Sequence, residues 1–318
     1  MASLVVSVPL EGPTGEAGAD AAEGVLLAVE DAGSPVRVLV ENAGAGPCGR
    51  NVPVNAERAA ADPDVVAYLG EFHSAATERS LPVLEAAGVP HVSFSNTYRR
   101  LGGRSFVNVM PTDELQAVAL VGWMAESGVR RPFLADDGED YGIDMRRLVQ
   151  RALAGNPAAD AEHADGFFLG AAVDEQTMTL LTGLHERAPK APLFGMEGLL
   201  SDELADELPA EVAARLHVTA GPAHRDALPP AGREVTERLR QRLGHRPDPH
   251  AVYAYEAASL VLDAYSGVGG DRAALTAAMR GTRDRDSVVG RYSFDARGAT
   301  TLRAAGRLRV EDRRFVPA

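Results

Sequence analysis

The stretch Val65-Val66-Ala67-Tyr68-Leu69-Gly70-Glu71-Phe72-His73-Ser74-Ala75-Ala76-Thr77 decides the fold class. Its first five residues read as a buried strand, because a strand covered on both faces has no polar side to show. After Gly70 a helical pattern runs from Thr77 to Ala87. Gly88 stands where a left-handed C-terminal residue is expected, and Pro90 follows. His91 to Ser95 then reads as a second strand, and its exit Ser93-Phe94-Ser95-Asn96-Thr97 is rich in hydroxyl groups. A strand–helix–strand unit with such short links argues for a parallel sheet covered on both faces. Ligands in open α/β sheets bind at the carboxyl ends of strands, so two neighbouring polar exits support one another as a binding site. Ser74 is placed to cap the helix, and the unpaired amides of the first turn offer a seat for a carboxylate.

The same rhythm extends in both directions. Leu4 to Val8, Val36 to Glu41 and Phe106 to Val109 read as further strands, with helices at about Gly18 to Ala32 and Asn55 to Ala61. After Pro111 the alternation restarts. A helix is expected from Asp113 to Ser127, a strand at Pro132 to Ala135 and a helix from Ile143 to Leu153. A strand at Gly166 to Leu169, a helix from Asp174 to Arg187 and a strand at Leu193 to Gly195 follow. A helix over Ser201 to Ala213 and a strand at Leu216 to Thr219 complete the run. Ala220 to Gly232 holds three prolines and reads as a linker. Helices resume at Glu234 to Leu243, Pro249 to Tyr265 and Arg272 to Arg280, and short strands close the chain.

At 318 residues the chain is long for one core and suits two lobes of roughly 150 residues each. A chain of this size buries about three quarters of its unfolded surface, so it needs no metal or disulfide staple. Acidic residues outnumber basic ones 45 to 32, for a net charge of −13, which repels phosphate backbones and anionic lipid. Nucleic acid is therefore a poor partner. The longest apolar runs fall short of the roughly 18 residues of a membrane span. Cys48 is the only cysteine, which rules out an internal disulfide. After Met1-Ala2-Ser3 the chain enters an apolar strand with no basic region before it. The protein is then either cytoplasmic or trimmed at a mature start.

Enzymatic motifs are missing or misplaced. Gly44-Ala45-Gly46-Pro47-Cys48-Gly49 fits G-x-G-x-x-G to the letter. A dinucleotide site needs those glycines to open directly into a helix, and Pro47 and Pro53 interrupt it. The acidic run Asp136, Asp137, Glu139, Asp140 lacks the alternating acids and later glutamate of a calcium loop, and reads as a solvated loop. The histidines form no metal-ligand pair, and no nucleophile elbow is present. The sequence announces no catalytic residue, no metal ligand and no cofactor.

At the two polar exits the chain resembles the type I periplasmic solute-binding proteins, specifically the leucine/isoleucine/valine-binding family. The resemblance spans nearly the whole chain. Pro9 to Pro13 with Gly18 and Glu23-Gly24 looks like the opening strand, glycine loop and first helix. Ala61 to Ala67 into Gly70, and Gly88-Val89-Pro90 into Ser93 to Thr97, are similar to the approaches to the two ligand loops. Met110-Pro111-Thr112-Asp113 with Gln116 resembles the first crossing between lobes. Asp137 with Tyr141-Gly142, Glu197-Gly198, Gly244 with Pro247-Asp248, Tyr253 to Ala257 and Gly290 with Phe294-Asp295 and Gly298 follow in the family's order.

The resemblance implies an α/β protein of two Rossmann-like lobes with parallel sheets, joined by three hinge crossings that let them close on a ligand. Lobe one is expected at 1–112 plus 224–284, and lobe two at 113–223 plus 285–318. It implies an amino acid or close derivative as ligand. Ser74 and Thr97 would hold the α-carboxylate. The Ser95 carbonyl and Glu197 would hold the α-ammonium, and Tyr141 would complete the clamp. Phe72, His73 and His250 would face the ligand's side chain, and Ala17 stands where the family often has an aromatic residue. Between Leu153 and Gly166 the chain is too short for the strand and helix the family places there. The function implied is capture of a solute outside the cytoplasm, by a lipoprotein whose signal has been removed, for an ABC permease. A ligand-sensing regulatory domain on the same scaffold is the alternative.

Overall fold

A computed structural model describes residues 1–173, 176–303 and 305–318, with all of their side chains but that of Asp202. The chain divides into two units, residues 1–112 with 225–302 and residues 113–224 with 303–318.

The chain opens with β1 (Ser3–Val8), α1 (Gly15–Asp31), β2 (Arg37–Asn42), α2 (Val52–Ala61), β3 (Val65–Leu69), α3 (Ser74–Ala86), β4 (His91–Ser93) and β5 (Phe106–Asn108). It then enters the second unit through α4 (Asp113–Glu126), β6 (Pro132–Asp136), α5 (Asp140–Ala152), β7 (Gly166–Gly170), α6 (Thr177–Arg187), β8 (Leu193–Gly195), α7 (Asp202–Glu207), α8 (Ala210–Ala213) and β9 (Leu216–Ala220). Back in the first unit lie α9 (Pro230–Leu243), α10 (His250–Val268), α11 (Arg272–Arg280), β10 (Arg285–Ser287) and β11 (Gly290–Tyr292). The chain ends in the second unit with β12 (Gly306–Glu311) and β13 (Arg314–Pro317).

The first unit holds a parallel sheet in the order β2-β1-β3-β4-β5. Leu4, Val6, Tyr68, Leu69, Val92 and Phe106 are fully buried along it, which explains why its inner strands read as unbroken apolar runs. Helices α2 and α3 close on Val5, Val65 and Tyr68 through Ala56, Ala59 and Leu84.

In the second unit the order is β13-β12-β9-β8-β7-β6. Strand β7 shows how its two faces are filled. Phe168 packs with Leu120, Met124, Met145 and Leu148 of α4 and α5. Phe167 and Leu169 turn to the other face, where Leu181, Leu204 and Val212 lie. Alternate side chains of a strand point to opposite faces, so one apolar run feeds both cores.

Four details depart from the sequence reading. The second sheet is mixed, because β12 lies antiparallel to β9 and to β13 at one edge. The expected helix over 201–213 breaks into α7 and α8 around Leu208-Pro209, where proline cannot donate a helical hydrogen bond. The chain leaves the first unit after residue 302, not after 284. The hairpin β10–β11 stays behind because Arg285 pairs with the buried Glu256 at 2.6 Å and the Tyr292 hydroxyl donates to the same carboxylate at 2.7 Å. Helix α9 starts at Pro230 inside the supposed linker, since a first-turn proline gives up an amide that has no helical partner anyway. The expected start of α6 at Asp174 lies outside the described residues.

Candidate functional site

In the first unit two strand exits are tied together. Strand β3 ends at Gly70, whose φ of +139° is open to glycine and whose Cβ, if present, would stand 2.5 Å from the Ser7 carbonyl. His73 occupies the cap position of α3, without a side-chain capping bond, and Ser74 is the first helical residue. This corrects the expectation that Ser74 caps the helix. The 13 residues of α3 leave first-turn amides at Ser74, Ala75 and Ala76 without helical partners, and the helix dipole adds to their pull on an anion.

The exit of β4 leans on that loop. The Ser95 hydroxyl donates 2.6 Å to the Phe72 carbonyl. Asn96, buried, donates from Nδ2 to the Glu71 carbonyl at 3.1 Å, to Thr77 Oγ1 at 2.8 Å and to Ser93 Oγ at 2.7 Å. Thr97, half-buried, follows directly. Neither its hydroxyl nor that of Ser74 has a hydrogen-bond partner among the described residues. Ser95, Thr97 and Ser74 thus belong to one polar corner of this unit.

Three of the expected side-chain contacts are also together. Phe72 lies edge-on to His73, with ring centroids 5.4 Å apart, and 4.8 Å from the ring of His250. The His73 ring meets Thr14 Oγ1 at 3.3 Å, and His250 Nδ1 meets Asp248 at 2.8 Å. Burial, followed by the charge of His250, pushes the His73 imidazole below its ordinary pKa. Burial opposes the charge of Asp248, but His250 outweighs it and holds the carboxyl low. Ala17 sits half-buried on α1, three residues beyond Thr14, and makes no ring contact.

The second unit contributes a separate cluster. Tyr141 stands in the first turn of α5, and its oxygen accepts a 3.1 Å hydrogen bond from the Gly198 amide. Glu197, just beyond β8, accepts a 2.8 Å bond from the Gly221 amide at the end of β9. Gly198 has no room for a side chain, since a Cβ would stand 2.4 Å from both the Tyr141 ring and the Ala171 carbonyl. Burial, followed by the charges of Asp113 and Glu197 and then that of Asp137, pushes the phenol far above its ordinary pKa. The cluster gathers carboxylates around a neutral phenol and favours a cation. Among the described residues no three His, Cys, Asp or Glu side chains are grouped to hold a metal ion.

Sequence reasoning did not single out Asn96, Thr14, Asp248 or Asp113. Asn96 and Thr14 had no signal of their own, because an amide or hydroxyl is common in any loop. Asp113 and Asp248 lie within quoted motifs, yet only the fold brings them to Tyr141 and His250.

The family described as periplasmic binding protein matches residues 3–156 and again 157–313. No curated protein matches the chain. Among solved structures, the ABC transporter substrate-binding protein from Desulfitobacterium hafniense in complex with Leu is 18% identical, with a TM-score of 0.79 over 100% of this chain and 99% of that one. The branched-chain amino acid transporter substrate-binding protein from Streptococcus pneumoniae, in complex with isoleucine, is 18% identical, with a TM-score of 0.76 over 100% and 99%. A solute-binding protein of an ABC transporter from R. palustris, in complex with benzoate, is 13% identical, with a TM-score of 0.70 over 99% and 94%.

Proposed function

Since the chain belongs to the periplasmic binding protein family, we propose that it captures an amino acid or close derivative by hinge closure and passes it to an ABC importer. The reading places it outside the cytoplasmic membrane as a lipoprotein, with the permease as partner and no catalytic step of its own. Among the described residues no helix is long and apolar enough to cross a membrane.

The observation that carries the reading is the set of acids, Asp113, Glu197 and Asp137, whose charges act on the buried Tyr141 phenol. A ligand carboxylate suits the first-turn amides of α3 with Ser74 and Thr97. The ligands named for the relatives, leucine, isoleucine and benzoate, all carry one. Benzoate has no amine, so the carboxylate alone does not select amino acids. Glu197, Asp113 and Asp137 around the Tyr141 phenol supply what an α-ammonium needs, and a buried charge is tolerated only when paired. The Ser95 carbonyl is assigned to the same ammonium, and Phe72, His73, His250 and Ala17 to the side chain.

Closure follows from the split of these groups between the units. Ser74 and Thr97 belong to the first, Tyr141 and Glu197 to the second. A ligand shifts an open–closed equilibrium only by its differential affinity for the two states, and contacts from both units supply that difference. Thermal denaturation in the presence of each standard amino acid tests the reading. A binder at a hundred times its dissociation constant adds about 2.7 kcal/mol of stability. A panel without any shift in melting temperature would count against it.

A further inference from the structure

The first ligand loop stands on a buried acid that none of the roles above employs. Glu71 lies between Gly70 and Phe72, yet its side chain is 0% exposed. Its Oε2 is bonded by the Ser7 hydroxyl of β1 at 2.8 Å, and its Oε1 by the Tyr68 hydroxyl of β3. Asn55 of α2 donates in turn to Ser7 at 3.3 Å. The carboxyl therefore pins the loop to two strands from beneath, while Asn96 holds its backbone carbonyl from the side.

No cation reaches this carboxyl among the described residues. Strand β4 brings His91, whose ring lies edge-on to Tyr68 and whose Nε2 donates 2.7 Å to the Gly70 carbonyl. Strand β2 brings Glu41, whose charge acts on Tyr68. Helices α2 and α3 contribute the uncharged Asn55 and Thr77. An ionised Glu71 would be a buried charge without a counter-ion, three residues before Ser74.

We propose that Glu71 is a positioning residue for ligand capture, that as a neutral acid it pins the loop carrying Ser74, and that its ionisation in alkaline solution weakens the hold on an anionic group there. The proposal rests on the reading of that loop as a carboxylate site. Burial pushes the Glu71 carboxyl up to about 8 despite the two hydroxyls, so it is largely protonated at pH 7. Burial likewise pushes His91 down to about 4, so its imidazole stays neutral where Glu71 titrates. Above pH 8 a negative charge appears on the loop that carries the anion seat; the two hydroxyls go on donating to it, and its repulsion acts against a ligand carboxylate.

Two measurements test it on the full chain. The first uses no ligand: carbon-13 NMR of the glutamate carboxyls, with nitrogen-15 shifts of Phe72, His73 and Ser74, from pH 6 to 9.5. One carboxyl should titrate near 8, the three amides should follow it, and both changes should vanish in Glu71→Gln. A Glu71 already ionised at pH 6.5, or loop amides indifferent to its titration, overturns the proposal even if no variant folds. The second is calorimetry with leucine on wild type and Glu71→Gln. The ratio of wild-type to variant dissociation constants should rise about tenfold from pH 7 to pH 9, the change in the neutral fraction of an acid titrating near 8. The ligand's own amine titrates equally in both proteins and cancels. A constant ratio overturns the coupling to capture. Absence of leucine binding at every pH falls on the amino-acid reading, and the NMR arm still decides Glu71.

Discussion

The amide of Gly198 donates a 3.1 Å hydrogen bond to the phenolic oxygen of Tyr141. The oxygen is thereby used as an acceptor, and the phenolic hydrogen is left to be given elsewhere. Glu197 precedes Gly198, so one backbone contact fixes the phenol beside the acid. Tyr141→Phe leaves the Gly198 amide without its acceptor and should lower folding stability by about 1–3 kcal/mol, read by urea denaturation. Ligand affinity should fall in the same variant.

Glu197→Ala tests the ammonium pairing. Charge-assisted hydrogen bonds contribute about 1.5–3 kcal/mol, and 1.4 kcal/mol is one decade of affinity. The variant should bind an α-amino ligand at least tenfold more weakly and should barely change binding of a ligand without the amine. Unchanged affinity for the best amino acid would remove Glu197 from the clamp.

Asn96→Ala cuts the tie between the two strand exits of the first unit. Its Nδ2 links the Glu71 carbonyl, Thr77 and Ser93, and all three would lose a buried donor. Stability should drop by about 1–3 kcal/mol, and affinity should drop with it because Ser74 and Thr97 lose their common register. Loss of stability alone, with affinity intact, would make Asn96 a purely structural residue.

Glu71 and His91 act on acid stability in opposite senses. His91 is neutral when folded and charges more readily when unfolded, so its contribution is lost as pH falls below about 6.5 towards 4. Glu71 stays protonated when folded, so its contribution is fully present below about 4.5 and is lost as pH rises through about 8. Between pH 7 and pH 5 the two oppose each other, each by about 2 kcal/mol. Glu71→Gln removes one of them. Its stability relative to wild type, from urea denaturation at both pH values, should be lower at pH 5 by about that amount.

The α/β alternation was legible because strands buried on both faces, such as Val65–Leu69, carry continuous apolar runs. The polar exits were legible because hydroxyls gather at the ends of those runs. A short strand near the end of the chain was legible, but the antiparallel edge that β12 makes was not, since nothing in Gly306–Glu311 says which strand it joins or in which direction. The third unit boundary was missed for a related reason. Arg285 and Tyr292 find Glu256 only in three dimensions, and nothing in the local sequence assigns the hairpin to α10. The roles of Asn96 and Glu71 depend on what lies beneath or beside a loop, which periodicity does not report. His73 and His250 are far apart in the sequence, and both rings meet Phe72, a grouping that only the fold brings about.

Hinge closure predicts that small-angle scattering records a smaller radius of gyration with a saturating ligand than without it. An identical radius in the two states would contradict closure and leave binding itself untouched.

The most direct measurement is calorimetric titration of the wild-type protein with its tightest-binding standard amino acid and with that compound's des-amino analogue. The account predicts saturable one-to-one binding of the amino acid and at least tenfold weaker binding of the analogue, because the carboxylates around Tyr141 then face no ammonium. Equal affinities, or an analogue that binds more tightly, would contradict it.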